Sequence, residues 1–149
     1  MSSVKEAGIS TDYLRAIMGT WRLVPRASRF SSKIQPQDIT RKYEPSGDGY
    51  TLRFEQISSA GIPDTWEYTA NYDGKDYPVK GTDDVDTIAL TQVDERTTLG
   101  VFKKDGQESA LYKRTIASNG DELTITTAGI NSQGEAYYDV TVYERISEK

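Results

Sequence analysis

Short segments in which apolar and polar residues alternate run through most of the chain. In the segment 64–72, for example, Trp66, Tyr68, Ala70 and Tyr72 fall on one side and polar residues fall on the other. A period of two is the pattern of a β-strand with one buried face. The segments that this pattern predicts as strands are 20–25, 38–45, 49–58, 64–72, 76–80, 86–94, 97–104, 108–118, 121–129 and 135–146.

Gly-containing turns separate these segments at short intervals. Asp73-Gly74, Asp105-Gly106 and Asn119-Gly120 are dipeptides typical of tight β-hairpins, because their residues tolerate positive φ. Short hairpins pair strands that are neighbours in sequence, and closure of such a meander removes its free edges. The sequence therefore predicts an all-β protein, an antiparallel up-and-down β-barrel of eight to ten strands, as a single domain over residues 1–149.

The start of the chain departs from this pattern. Thr11 can cap a helix, and Leu14, Ile17 and Met18 follow it at helical spacing. The sequence predicts a short N-terminal helix within residues 1–18 that closes one end of the barrel. The segment 26–37 is a long irregular connection, of the kind that often covers the open mouth of a barrel.

Alternation also assigns side chains to the interior of the barrel. The strand 108–118 is ambiguous, and we favour the face of Tyr112 and Arg114, which carries more apolar area. The strand 135–146 is ambiguous too, and our interpretation places Tyr138 inward and Asp139 outward. The interior residues predicted to contact a ligand are Tyr50, Phe54, Trp66, Tyr68, Tyr72, Leu90, Tyr112, Arg114 and Tyr138.

Composition narrows the chemistry that such an interior can perform. The chain has no cysteine and no histidine, which excludes thiolate nucleophiles, Ser-His-Asp catalysis and metal or haem ligation by these residues. We therefore expect no metal and no cofactor.

The formal net charge is −5 and the 18 basic residues form no dense run, so we expect no nucleic-acid partner. Without an apolar run of about 20 residues or an apolar leader, we expect no membrane association and a cytoplasmic location.

Two stretches of the sequence resemble a known family. Gly19-Thr20-Trp21 at the start of the first strand resembles the Gly-x-Trp signature of lipocalins, and the stretch 66–79 is similar to that of small bacterial lipocalin-like proteins. These are calycin-superfamily β-barrels of a largely uncharacterised family. The resemblance implies that Trp21 lies at the closed end of the barrel with Arg145 packed across its ring, with Arg114 as the alternative partner.

These observations predict that the barrel binds a small hydrophobic or aromatic molecule in its interior, where rings stack on the ligand and hydroxyls orient it. The alternative is a cofactor-free isomerase, cyclase or lyase acting on a natural-product-like substrate by shape. In that case Arg114, Tyr68 and Tyr112 would polarise a carbonyl or hold an enolate. A third interpretation is a structural module with a solidly packed barrel. We expect a monomer or a homodimer.

Overall fold

The computed structural model describes residues 13–32, 34–131 and 133–147. In this part of the chain, ten antiparallel strands close into a barrel in which each strand pairs with its neighbours in sequence and the first pairs with the last. The strands are β1 (Gly19–Leu23), β2 (Asp38–Ser46), β3 (Gly49–Ile57), β4 (Pro63–Ala70), β5 (Tyr77–Lys80), β6 (Thr87–Asp94), β7 (Thr97–Lys104), β8 (Gln107–Ile116), β9 (Glu122–Ile130) and β10 (Ala136–Ser147).

The up-and-down topology follows from the hairpin turns. In the turn between β7 and β8, Asp105 has a φ of 52° and Gly106 a φ of 78°. Positive φ at both central residues is the geometry whose twist matches that of the flanking strands. Each hairpin brings consecutive strands together, and pairing of β1 with both β2 and β10 closes the ring.

Two short helical segments accompany the barrel. Helix α1 covers Tyr13–Ala16, and a 3-10 helix covers Pro25–Ala27. The earlier part of the predicted N-terminal helix, including its Thr11 cap, lies outside the described residues. Within the described ranges, no helix has the length and apolar character needed to span a bilayer.

One end of the barrel is closed next to α1. Ile17 is buried there, and the Trp21 indole nitrogen donates a hydrogen bond to the Ile17 carbonyl at 2.9 Å. The guanidinium of Arg145 lies 4.2 Å from the centroid of the Trp21 ring, which is the cation–π arrangement that the resemblance implied. Arg145 also donates to the carbonyls of Ala16, Met18 and Gly120, so this end is closed by hydrogen bonds as well as by packing.

The half of the barrel next to this closed end is filled by side chains. Alternate residues of the strands point inward and pack against one another, as a half-buried strand requires. The largest side chains that are almost completely buried are Trp21, Tyr43, Tyr50, Leu52, Ile88, Leu90, Thr98, Leu123 and Tyr143.

Candidate ligand-binding cavity

The other half of the barrel encloses a cavity of about 230 Å³ that opens at the end opposite Trp21. This volume lies somewhat below the roughly 300–1,000 Å³ of pockets for drug-sized ligands, so it suits a smaller molecule. The aromatic residues that line it are Phe30, Phe54, Trp66, Phe102, Tyr112, Tyr137 and Tyr143.

Cross-strand pairing produces the aromatic wall of the cavity. Phe54 of β3 and Trp66 of β4 are directly opposite in register, and their rings stack with centroids 4.5 Å apart. Phe102 of β7 meets the Trp66 ring edge-on at 6.3 Å. Such ring pairs add stability beyond their buried area, and they hold flat apolar surfaces towards the cavity.

Arg41, which was not among the residues predicted to contact a ligand, lines the inner part of this cavity. It lies between Ile39 and Tyr43 on the inward face of β2 and is only 5% exposed. Its Nε donates a hydrogen bond to the Tyr43 hydroxyl at 3.0 Å. The alternation of Ile39, Arg41 and Tyr43 was the signal that could have identified it, since all three share one strand face.

Arg114 lies deeper, in the filled half, and is 3% exposed. One of its terminal nitrogens donates to the hydroxyls of Tyr50 at 2.9 Å and Tyr112 at 3.4 Å. The other donates to the hydroxyls of Tyr72 at 2.7 Å and Thr98 at 3.0 Å. The guanidinium thus organises the tyrosines that the sequence placed in the interior.

A second layer of hydrogen bonds holds this network. The hydroxyls of Tyr50 and Tyr68 lie 2.7 Å apart, and Thr98 donates to the Gln92 side chain at 2.6 Å. In the described part of the chain, no buried side-chain nitrogen or oxygen lacks a hydrogen-bond partner. The buried polar groups therefore form a satisfied network, which fixes the ring positions.

Burial and the two arginines set the pKa values of the buried tyrosines. Burial raises the pKa of Tyr68 to about 12, and it raises the pKa values of Tyr50 and Tyr112 well above the ordinary 10.0. Burial acts the same way on Tyr43, but the charges of Arg41 and Arg114 outweigh it, so the pKa of Tyr43 is lowered.

The structure divides the predicted ligand-contacting residues into three groups. Phe54, Trp66 and Tyr112 line the cavity. Tyr138 lies on the outer face of β10 and is 59% exposed, so its inward placement is wrong. The remaining residues are buried or partly buried in the filled half and do not line the cavity; they are Tyr50, Tyr68, Tyr72, Leu90 and Arg114.

The observed inner face of β10 places a carboxylate in the cavity. Tyr137, Asp139, Thr141 and Tyr143 form its inner face, so the outward placement of Asp139 is wrong as well. Tyrosines on both faces of this strand made the alternation uninformative. The Asp139 carboxylate accepts hydrogen bonds from the Ser31 backbone nitrogen at 3.0 Å and from its hydroxyl at 3.3 Å.

The mouth of the cavity is formed by two connections. Phe30 of the connection between β1 and β2 lines it, and a β-bridge between Arg29 and Val140 ties that connection to β10. Thr82, Asp84 and Val85 contribute from the connection between β5 and β6. Phe30 therefore places part of the connection between β1 and β2 at the mouth, in agreement with the prediction from the sequence.

Comparisons with known proteins bear on the fold. No protein-family model and no curated protein matches the chain. Among solved structures, zebrafish ileal bile acid-binding protein complexed with cholic acid is similar with a TM-score of 0.51 and 10% identity, covering 88% of this chain and 99% of that one. The siderocalin Ex-FABP, described as having dual ligand specificities, aligns with a TM-score of 0.42 and 14% identity over 87% of this chain and 70% of that one. The likeness to the bile acid-binding protein concerns the fold alone, which is an all-β antiparallel barrel.

Proposed function

We propose that this protein binds a small hydrophobic or aromatic molecule inside the barrel. The observation that carries the proposal is the open, ring-lined cavity that lies beside a half of the same barrel packed with buried side chains. A barrel that served only as a structural module would be expected to fill both halves, because unfilled apolar space costs stability. The walls formed by Phe54, Trp66 and Phe102 offer flat apolar surfaces on which a ring or a short chain would pack.

The likeness in fold supports this proposal. The bile acid-binding protein is complexed with cholic acid, so a protein of similar fold can bind a small amphipathic molecule. The cavity of about 230 Å³ favours a ligand of one or two rings, or a short chain, over a steroid.

A cavity-filling variant tests the proposal. Thr127 lines the cavity, whereas the adjacent Thr126 of β9 points to the outer face. Binding of a fluorescent apolar probe such as 1-aminoanthracene should be lost in Thr127→Trp and retained in Thr126→Trp. Native mass spectrometry of protein from its own host should show a retained small molecule. Equal probe binding by both variants would overturn the proposal.

A cofactor-free isomerase, cyclase or lyase is the second candidate. It is favoured by one observation, namely that Arg41, Tyr112 and Asp139 line the same cavity and would offer a cation, a phenol and a carboxylate to one substrate. Arg114 and Tyr68 would then act only through their neighbours, since they lie beneath the cavity. Conversion of the retained molecule by wild type, and its loss in Asp139→Asn with binding preserved, would establish this activity.

A further inference from the structure

The interior of the barrel carries an unbalanced charge. Among the described residues, Arg41 and Arg114 are the charged side chains that are buried, and no aspartate, glutamate or lysine is buried with them. The ion pairs found in the described ranges join Arg22 to Asp38, Lys103 to Asp76 and Lys104 to Asp86, so neither buried arginine has a carboxylate partner. Buried charges are usually paired, because an unpaired one is costly to desolvate.

The two arginines differ in what their donors contact. Arg114 is surrounded by four hydroxyls, from Tyr50, Tyr72, Thr98 and Tyr112, and it does not line the cavity. Its positive charge is therefore held in place by the fold itself.

Arg41 does line the cavity, and its guanidinium is surrounded mainly by rings. Those of Tyr43, Phe54 and Tyr143 lie 5.5 to 5.7 Å from it. Each buried nitrogen of the described residues has at least one partner, but a guanidinium has five N–H donors, more than the hydroxyls of Tyr43 and Tyr143 can accept. Burial acts to lower the pKa of Arg41. The neighbouring phenol oxygens, that of Tyr43 most strongly, act to raise it. The pKa of Arg41 is raised overall, so its guanidinium stays charged.

The carboxylates of the cavity lie near its mouth and not near Arg41. In the described part of the chain these are Asp84, which is exposed, and Asp139, which Ser31 holds by two hydrogen bonds. The cavity is thus positive at its inner end and negative at its rim. A ligand with one anionic group would be attracted to the inner end of the cavity. A ligand with a second anionic group at its far end would be repelled by the acidic rim.

We propose that the ligand is a small monocarboxylic acid with an apolar or aromatic body, and that Arg41 binds its carboxylate. This inference rests on the proposed binding function and adds the chemical class of the ligand. A carboxylate matches the planar fork of a guanidinium and would give Arg41 the counter-charge that the described residues do not supply. The body of the ligand would then lie against Phe54, Trp66 and Phe102, with its far end towards Asp139.

Three compounds of one shape test the proposal by isothermal titration calorimetry. The wild-type protein should bind 2-naphthoate at least tenfold more tightly than 2-naphthalenemethanol, its neutral counterpart. It should bind naphthalene-2,6-dicarboxylate more weakly than 2-naphthoate, because the second carboxylate meets the acidic rim. Equal affinities for 2-naphthoate and the alcohol would overturn the proposal while leaving the binding function intact. Binding of none of the three would overturn the binding function itself.

A variant separates Arg41 from the rest of the protein. In Arg41→Met the preference for 2-naphthoate over the alcohol should disappear, while the affinity for the alcohol stays within threefold of wild type. Arg53→Met, on the exposed outer face of β3, is the matched control and should keep the preference. Persistence of the preference in Arg41→Met would overturn the assignment of Arg41. If that variant does not fold, the wild-type comparison of acid and alcohol still decides the proposal.

Discussion

The guanidinium of Arg145 lies 4.2 Å from the centroid of the Trp21 ring, and the two residues come from the last and the first strand of the barrel. Their backbones are paired in register, so the contact lies at the point where the sheet closes on itself. Arg145 is therefore a link across the closure as well as a cap on the indole ring.

Replacement of Arg145 by leucine should lower the free energy of unfolding by about 2–4 kcal/mol, because the variant loses the cation–π contact and leaves carbonyls without a donor. Arg145→Lys should recover less than half of this loss, since an ammonium lacks the planar fork. Urea unfolding followed by tryptophan fluorescence measures both. Arg22→Leu, which breaks the exposed pair with Asp38, is the control and should cost at most about 1 kcal/mol. A loss in Arg145→Leu no greater than in the control would contradict this role.

Gly100→Ala should weaken both the fold and ligand binding. A Cβ at residue 100 would lie 2.8 Å from a ring carbon of Tyr112, whose ring lines the cavity. Such overpacking typically costs about 1–3 kcal/mol and would shift the ring. Gly120→Ala is a useful control, because a φ of 77° makes it strained at a turn far from the cavity. Probe affinity should fall in Gly100→Ala alone; an equal fall in both variants would point to general destabilisation instead.

Arg41→Met should raise the pKa of Tyr43. The pKa of this buried phenol is low because the charges of Arg41 and Arg114 oppose the effect of burial, and the variant removes one charge. Titration of protein labelled with ¹³C at the tyrosine ζ carbon, followed by NMR, resolves the shift. Arg53→Met should leave the titration unchanged. An unaltered Tyr43 resonance in Arg41→Met would show that Arg41 does not govern this phenol.

Stability should fall steeply in alkaline solution between about pH 10 and pH 12. The folded-state pKa of Tyr68 is raised from 10.0 to about 12, so in this window the unfolded chain releases the proton while the folded chain retains it. The contribution of protonated Tyr68 to the free energy of unfolding is complete below pH 10. It is lost at about 1.4 kcal/mol per pH unit, for each such tyrosine, as the pH rises towards the pKa of the folded state. Tyr68→Phe should make the decline shallower. Denaturant unfolding at a series of pH values measures it, and identical slopes for the two proteins would refute the assignment.

The barrel was predictable because its signals are local. Alternation in β4 assigns Trp66 and Tyr68 to one face, and Asp105-Gly106 has the backbone tolerance that a tight hairpin needs. Strand pairing follows from those turns, so the architecture emerges from short-range information.

The site was predictable only in part, since alternation gives the face of a residue but not its height along the barrel axis. Phe54 and Tyr50 share a face of β3, yet Phe54 lines the cavity and Tyr50 lies beneath it. The hydrophobic pattern counts arginine as a polar, outward residue, so it did not identify Arg41 as an interior residue. It also cannot choose between the two faces of β10, because both carry tyrosines.

Pairing of β1 with β10 has a consequence for biosynthesis. The barrel cannot close until β10 has left the ribosome, because until then both β1 and β9 present an unpaired edge and Trp21 has no cation above it. Free strand edges on a nascent chain can pair with those of other chains. The barrel of this chain can therefore close only once its last strand has emerged, and chaperone contact with the growing chain is most valuable just before that point.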